Sequence, residues 1–173
     1  MKKLSVITLF ICGVVTIASA QTSSGKAVPA ADVKTMDGKT VNTSTFTNNG
    51  KPMIISFWAT WCKPCKKELD AISEQYEDWV EQTGVKLIAV SIDDSRSASK
   101  VGADVKSKDW KFDIYIDENQ NFKRAMSVNN IPHTFIIDGK GNVVWQHNSY
   151  AEGDEDALFE AVKKVAKGEK IKE

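Results

Sequence analysis

The sequence predicts an α/β domain in which helices flank a mixed central β-sheet. Three observations lead there. Short apolar runs at 53–58, 85–92 and 112–116 alternate with stretches whose apolar residues recur at helical spacing. The run at 85–92 is almost continuously apolar, as suits a parallel strand covered on both faces. Near the C-terminus, Asp138-Gly139-Lys140-Gly141-Asn142 separates two further runs, the mark of an antiparallel hairpin. A length of 173 residues, 42% apolar and 27% charged, fits one domain with a sizeable core. Lysine plus arginine equals aspartate plus glutamate at 23 each, so nothing points to nucleic acid or an anionic membrane as partner.

Residues 1–20 read as a secretory signal. Lys2 and Lys3 form a basic start, residues 4–17 are mostly apolar, and Ala18-Ser19-Ala20 is a small-residue cleavage site. Cleavage after Ala20 makes the protein exported and periplasmic. An uncleaved membrane anchor is the alternative, for which the stretch is short. Cys12 leaves with the signal, and Ile11 is not the small residue that lipidation wants before a cysteine. Residues 21–31 read as a flexible lead-in, 32–168 as the folded domain, and 169–173 as a charged tail.

Within the domain, Asp37-Gly38 between short extended runs predicts an N-terminal β-hairpin. The central strand occupies 53–58. A helix follows from about 64 to 81, with Leu69, Ile72, Tyr76, Trp79 and Val80 on one face and Gly84 just beyond its end. Asp93-Asp94-Ser95 closes the strand at 85–92 and offers a cap for a surface helix over about 96–108, whose apolar face is thin (Val101, Val105). A strand at 112–116 and a short helix at 119–126 come next. Pro132 opens the strand at 131–138, a position that tolerates proline. Residues 143–147 return beside it, and 152–167 form the last helix, acidic at its start and basic at its end, in line with its dipole.

The chemistry gathers at Trp61-Cys62-Lys63-Pro64-Cys65, where the central strand ends and a helix begins. The first turn of a helix offers free N–H groups and the positive end of the dipole, which stabilise a thiolate. Cys62 lies at the mouth and Cys65 one turn in, on the same face. Pro64 fits an early helical position, where its missing N–H costs nothing. Lys63, Lys66 and Lys67 crowd this turn, either as a positive field that favours the Cys62 thiolate or as solvated surface lysines. The Cys-x-x-Cys pair itself has three readings. A dithiol redox centre is favoured by the strand-to-helix context. Half of a zinc site needs further ligands, and beyond the signal only His133 and His147 are at hand. A purely structural disulfide closes a very short loop, with little entropic gain.

The stretch Phe57-Trp58-Ala59-Thr60-Trp61-Cys62-Lys63-Pro64-Cys65-Lys66-Lys67-Glu68 resembles the active-site segment of thioredoxin-fold proteins, most closely the exported TlpA/ResA-like thiol–disulfide oxidoreductases. The resemblance runs from about Val33 to the last helix. It implies a thioredoxin-like three-layer sandwich carrying the hairpin as an N-terminal extension, with Cys62 as nucleophile and Cys65 as resolving cysteine of a redox-active disulfide. Trp61, Lys63 and Pro64 support that site. Pro132 is then the cis-proline facing it, and the Ile131 backbone binds an extended substrate. No metal or organic cofactor is implied. The partners are protein disulfides and, as reductant, a membrane thiol-electron transporter; a monomer is expected.

Two positions depart from the family pattern. Ser56 stands where thioredoxins carry a buried aspartate, which leaves the proton acceptor for Cys65 open between Glu68, which is free to point to solvent, and water. His133 replaces the threonine that usually follows the cis-proline; it either tunes Cys62 or does nothing. His147 reads as surface and Phe57 as core. The reaction reads as reduction of exported proteins' disulfides. A disulfide-forming oxidant uses the same chemistry. A peroxiredoxin-type peroxidase is less well supported, since Thr60 does not fall three residues before either cysteine and no proline completes the Pro-x-x-x-Thr-x-x-Cys pattern.

Overall fold

A computed structural model describes residues 25–171. The expected signal at 1–20 lies outside them. The elements, in order, are β1 (Asp32–Thr35), β2 (Thr40–Asn42), a 3₁₀ turn (Thr43–Thr45), β3 (Met53–Trp58), α1 (Lys63–Thr83), β4 (Lys86–Ser91), α2 (Ala98–Lys108), β5 (Asp113–Ile116), α3 (Asn121–Ala125), β6 (His133–Ile137), β7 (Val143–Asn148) and α4 (Asp154–Ala166).

One seven-stranded sheet runs in the order β2-β1-β5-β4-β3-β6-β7. Strands β3, β4 and β5 are mutually parallel, and every other pairing is antiparallel. The apolar continuity of β3 and β4 has its reason here. Both are interior strands, and β3 is buried at every residue. The chain steps from β3 to β4 to β5 in one direction, so right-handed crossovers place α1 and α2 on the same face. Ion pairs Lys66–Asp104 and Lys108–Asp70 join those two helices. Helix α4 packs on that face as well, with Phe159 stacked on Trp79 of α1 at 4.7 Å. Helix α3 covers the opposite face through Phe122 against Phe57 at 5.3 Å. Three layers result, with the predicted hairpin β1–β2 added to the sheet beside β5.

Alternation along the strands then sorts the side chains. Ser56 and Trp58 face α1. Phe57 faces α3 and is fully buried, as expected of core. Helix α1 inserts Leu69, Ile72 and Trp79, each worth roughly 1.5–3 kcal/mol on burial. Val80, expected on the same face, is 39% exposed. It lies one position past Trp79, off the edge of the stripe that α4 covers.

Other expectations shift for local reasons. Helix α2 begins at Ala98 rather than 96, because the Asp94 carboxylate accepts from the N–H groups of Arg96 and Ser97 and closes a turn first. Residues 26–28, within the stretch expected as a loose lead-in, are tied to the β6–β7 turn. Val28 N–H donates to the Gly141 carbonyl at 3.0 Å, and Val143 N–H to that of Lys26 at 2.9 Å. Helix α1 ends on Gly84 in the left-handed region (φ 66°), where the Gly84 N–H caps the Val80 carbonyl and a Cβ would meet the Lys51 side chain at 2.4 Å. Gly84→Ala is therefore expected to cost about 1–2 kcal/mol, read as a lower urea midpoint, with Gly84→Asn closer to wild type.

Candidate active site

The C-terminal ends of the parallel strands carry the site. Strand β3 delivers the chain to a turn in which the Cys62 N–H donates to the Ala59 carbonyl at 3.0 Å. Cys62 is the N-cap of α1, and its Sγ accepts from the Cys65 N–H at 3.3 Å. Pro64 lies in the first turn, as its lack of an N–H predicts. Cys62 and Cys65 are joined in a disulfide with Cα atoms 5.3 Å apart. Cys65 is wholly enclosed, Cys62 is 5% exposed, and the neighbouring Trp61 is 64% exposed. The pair is thus approachable from the Cys62 side only.

The three lysines divide. Lys66 pairs with Asp104 of α2 at 3.3 Å, whereas Lys63 and Lys67 are exposed with no ion-pair partner among the described residues. Only those two stand as an open positive pair beside the disulfide. Lys63, Pro64 and Lys67 also line one end of a groove of about 740 Å³, closed on its other side by Tyr150, Glu152 and Glu155.

Glu68 does not point to solvent. It is 4% exposed and lies one turn beyond Cys65, on the face of α1 turned to the sheet. Thr134 Oγ1 donates to its Oε1 at 2.8 Å, and Ser56 Oγ to its Oε2 at 3.2 Å. Burial drives its carboxyl up to about 7; the bonds from Thr134 and Ser56 pull the other way, and nearby Asp154 and Glu155 of α4 add to the rise. Ser56 therefore does not leave the site without a carboxylate. The acid enters from the helix instead of the strand, and the serine becomes its hydrogen-bond donor.

The Ile131–Pro132 peptide bond is cis, as the resemblance implied. Ile131 is half-buried and Pro132 buried. His133 follows on the opposite face of the sheet from Thr134. Its ring stacks on Phe135 at 4.3 Å, and its Nε2 meets Gln146 Oε1 at 3.2 Å. Burial pulls its pKa down, which favours the neutral ring, against the opposing pull of the Gln146 bond. Two supports went unseen in the sequence. Thr134 becomes visible only through the β3–β6 register that sets it opposite Ser56. Asp93 becomes visible only through its bonds to Thr60.

A model of the AhpC/TSA family matches residues 24–146. The chain belongs to that family. Thiol-disulfide oxidoreductase ResA of Bacillus thuringiensis subsp. konkukian is 34% identical over 141 residues, covering 82% of this chain and 78% of that one. Sporulation thiol-disulfide oxidoreductase A of Bacillus subtilis is 32% identical over 119 residues, 68% of this chain and 70% of that one. A thioredoxin-like protein from Porphyromonas gingivalis, solved in solution, superposes with a TM-score of 0.73 at 49% identity over 83% of this chain and 94% of that one. This AhpC/TSA family member is a protein-disulfide oxidoreductase of the thioredoxin fold, and its Cys62–Cys65 pair serves thiol–disulfide exchange. Its substrates are accordingly proteins.

Proposed function

We propose that this oxidoreductase reduces disulfides of other exported proteins, with Cys62 as nucleophile and Cys65 as resolving cysteine. One observation carries the assignment of roles: Cys62 caps the helix at the accessible edge, and Cys65 is enclosed behind it. In the reduced protein the Cys62 thiolate, favoured by the N-terminus of α1 and by Lys63 and Lys67, attacks one sulfur of the substrate disulfide. A Cys62–substrate mixed disulfide forms, and the other substrate sulfur leaves as a thiolate and takes a proton. Cys65 then loses its proton to Glu68 and attacks Cys62 Sγ. The substrate departs with its electron pair fully reduced, and Cys62–Cys65 is left oxidised. Glu68 suits the acceptor's part because its carboxyl titrates near neutrality.

Trp61 and the Ile131 backbone beside Pro132 flank the extended substrate on either side of the disulfide. The leader at 1–20 directs export, and after cleavage at Ala20 the protein acts as a periplasmic monomer; no helix among the described residues is long and apolar enough to cross a membrane. A membrane thiol-electron transporter restores the dithiol. The test of direction is the reduction potential of the Cys62–Cys65 couple, equilibrated with glutathione and dithiothreitol buffers. The expected value is near or below about −250 mV, a reductase's range, whereas one near about −120 mV makes the protein a disulfide-forming oxidant.

A further inference from the structure

We propose that Asp93 is a positioning residue for Cys62: it braces the turn that presents the thiol, and its charge restrains the thiol's acidity. Asp93 is fully buried just past the end of β4. Parallel pairing sets Ser91 opposite Trp58, so the segment after β4 runs beside the segment that leads into Cys62. The Thr60 N–H donates to Asp93 Oδ2 at 2.8 Å, and Thr60 Oγ1 to Oδ1 at 2.7 Å. Ser91 Oγ donates to Oδ2 at 2.7 Å and in turn accepts from the Asp93 N–H at 3.1 Å. All three donors to its oxygens, the Thr60 N–H and the Thr60 and Ser91 hydroxyls, are neutral.

Thr60 stands two residues before Cys62, so their Cα atoms are at most about 7 Å apart and the carboxylate lies on the order of 10 Å from the sulfur. A charge at that range changes a thiol's acidity by roughly threefold to tenfold. The other charged or titratable groups on the elements about Cys62 are Lys63, Lys66, Lys67 and Glu68 on its own helix, His133 at the start of β6, Tyr150, Glu152 and Glu155 across the groove from Lys63, and the Asp94–Arg96 ion pair beside Asp93. The lysines favour the thiolate, and Asp93 opposes it from the far side of the turn. In this family member the acidity of the nucleophile is thus set by a balance between the helix start and the end of β4.

The test uses the full chain carrying Cys65→Ser, with the pH dependence of iodoacetamide alkylation at Cys62 followed by peptide mass spectrometry. Asp93→Asn can keep every bond by presenting its oxygen to Thr60 N–H and Ser91, and its amide to Thr60 Oγ1; it removes only the charge. It should raise the thiolate fraction at a fixed pH below the half-point by about threefold to tenfold. Thr60→Val removes one donor and leaves the charge less compensated, so it should move the half-point the other way, while Thr60→Ser should match wild type. Opposite shifts support the proposal. An unchanged titration in Asp93→Asn overturns it, as do shifts of the same sign in both variants, which simple damage to the loop would give. Should Asp93→Asn fail to fold, Thr60→Val against Thr60→Ser decides alone: equal half-points overturn the proposal. The proposal rests on Cys62 as the reactive thiol. Alkylation reads the Cys62 sulfur itself, so its failure is distinct from a Cys62→Ser variant that still reduces substrate.

Discussion

Cys65→Ser, reduced and mixed with a disulfide-bonded substrate such as insulin, is expected to accumulate as a covalent adduct, while Cys62→Ser forms none. The geometry sets the order of attack. A substrate sulfur must line up with the attacking thiolate along its own S–S axis, which needs open space on the attacker's outer side. Cys62 has it, at the helix mouth beside the exposed Trp61; Cys65, with no exposed surface, faces only Cys62 and the core. Removing Cys65 leaves the mixed disulfide without an internal thiol to break it. Removing Cys62 takes away the thiolate that the Cys65 N–H and the helix start would stabilise. Multiple turnover should fall on the order of a thousandfold or more in either variant, as happens when one member of a catalytic unit is lost. Non-reducing electrophoresis separates the two cases. The adduct should be dissolved by dithiothreitol and appear in Cys65→Ser alone. An adduct in Cys62→Ser instead would exchange the roles of the two cysteines.

Both cysteines were legible in the sequence because their spacing, and the strand-to-helix break they occupy, are local features. The parallel core was legible for the same reason: β3 and β4 are interior strands, and their sequences say so. Pro132 could be placed at a strand start from the residues, but its cis bond followed only from the resemblance. Glu68 was the instructive case. Cys65, Leu69, Ile72 and Trp79 form a buried stripe, and Glu68 lies within it beside Leu69. A carboxylate inside an apolar stripe is a signal in its own right, since burial without partners is prohibitive. What the sequence hides is the partner set. Ser56 and Thr134 are 78 residues apart and become neighbours only through sheet register. Asp93 was hidden in the same way: it reads as a capping residue in a polar loop, and Asp94 takes the turn while Asp93 goes inward.

The same burial makes Glu68 the site of a second large effect, and its sign can be worked out. The carboxyl titrates at 4.5 in the ordinary state and at about 7 in the folded one. The folded protein therefore binds the proton more tightly than the unfolded chain, and stability falls as pH rises from about 4.5 to about 7. At about 1.36 kcal/mol per pH unit, ionised Glu68 costs at most about 3 kcal/mol at pH 8, and nothing below pH 4.5. Glu68→Gln removes that cost while its amide can still bond Ser56 and Thr134. The oxidised variant should match wild type near pH 4.5 and melt roughly 6–10 °C higher at pH 8, by calorimetry at the two pH values. Activity should move the opposite way. With no carboxylate to take the Cys65 proton, release of the mixed disulfide should slow by roughly a hundredfold at pH 7 and recover as pH rises towards the thiol's own range. A variant more stable in alkali yet slower at neutrality is what an acid kept buried for proton transfer predicts. A Glu68→Gln protein with wild-type release rates across pH would leave the carboxyl a purely structural part of the core, and water would be the acceptor.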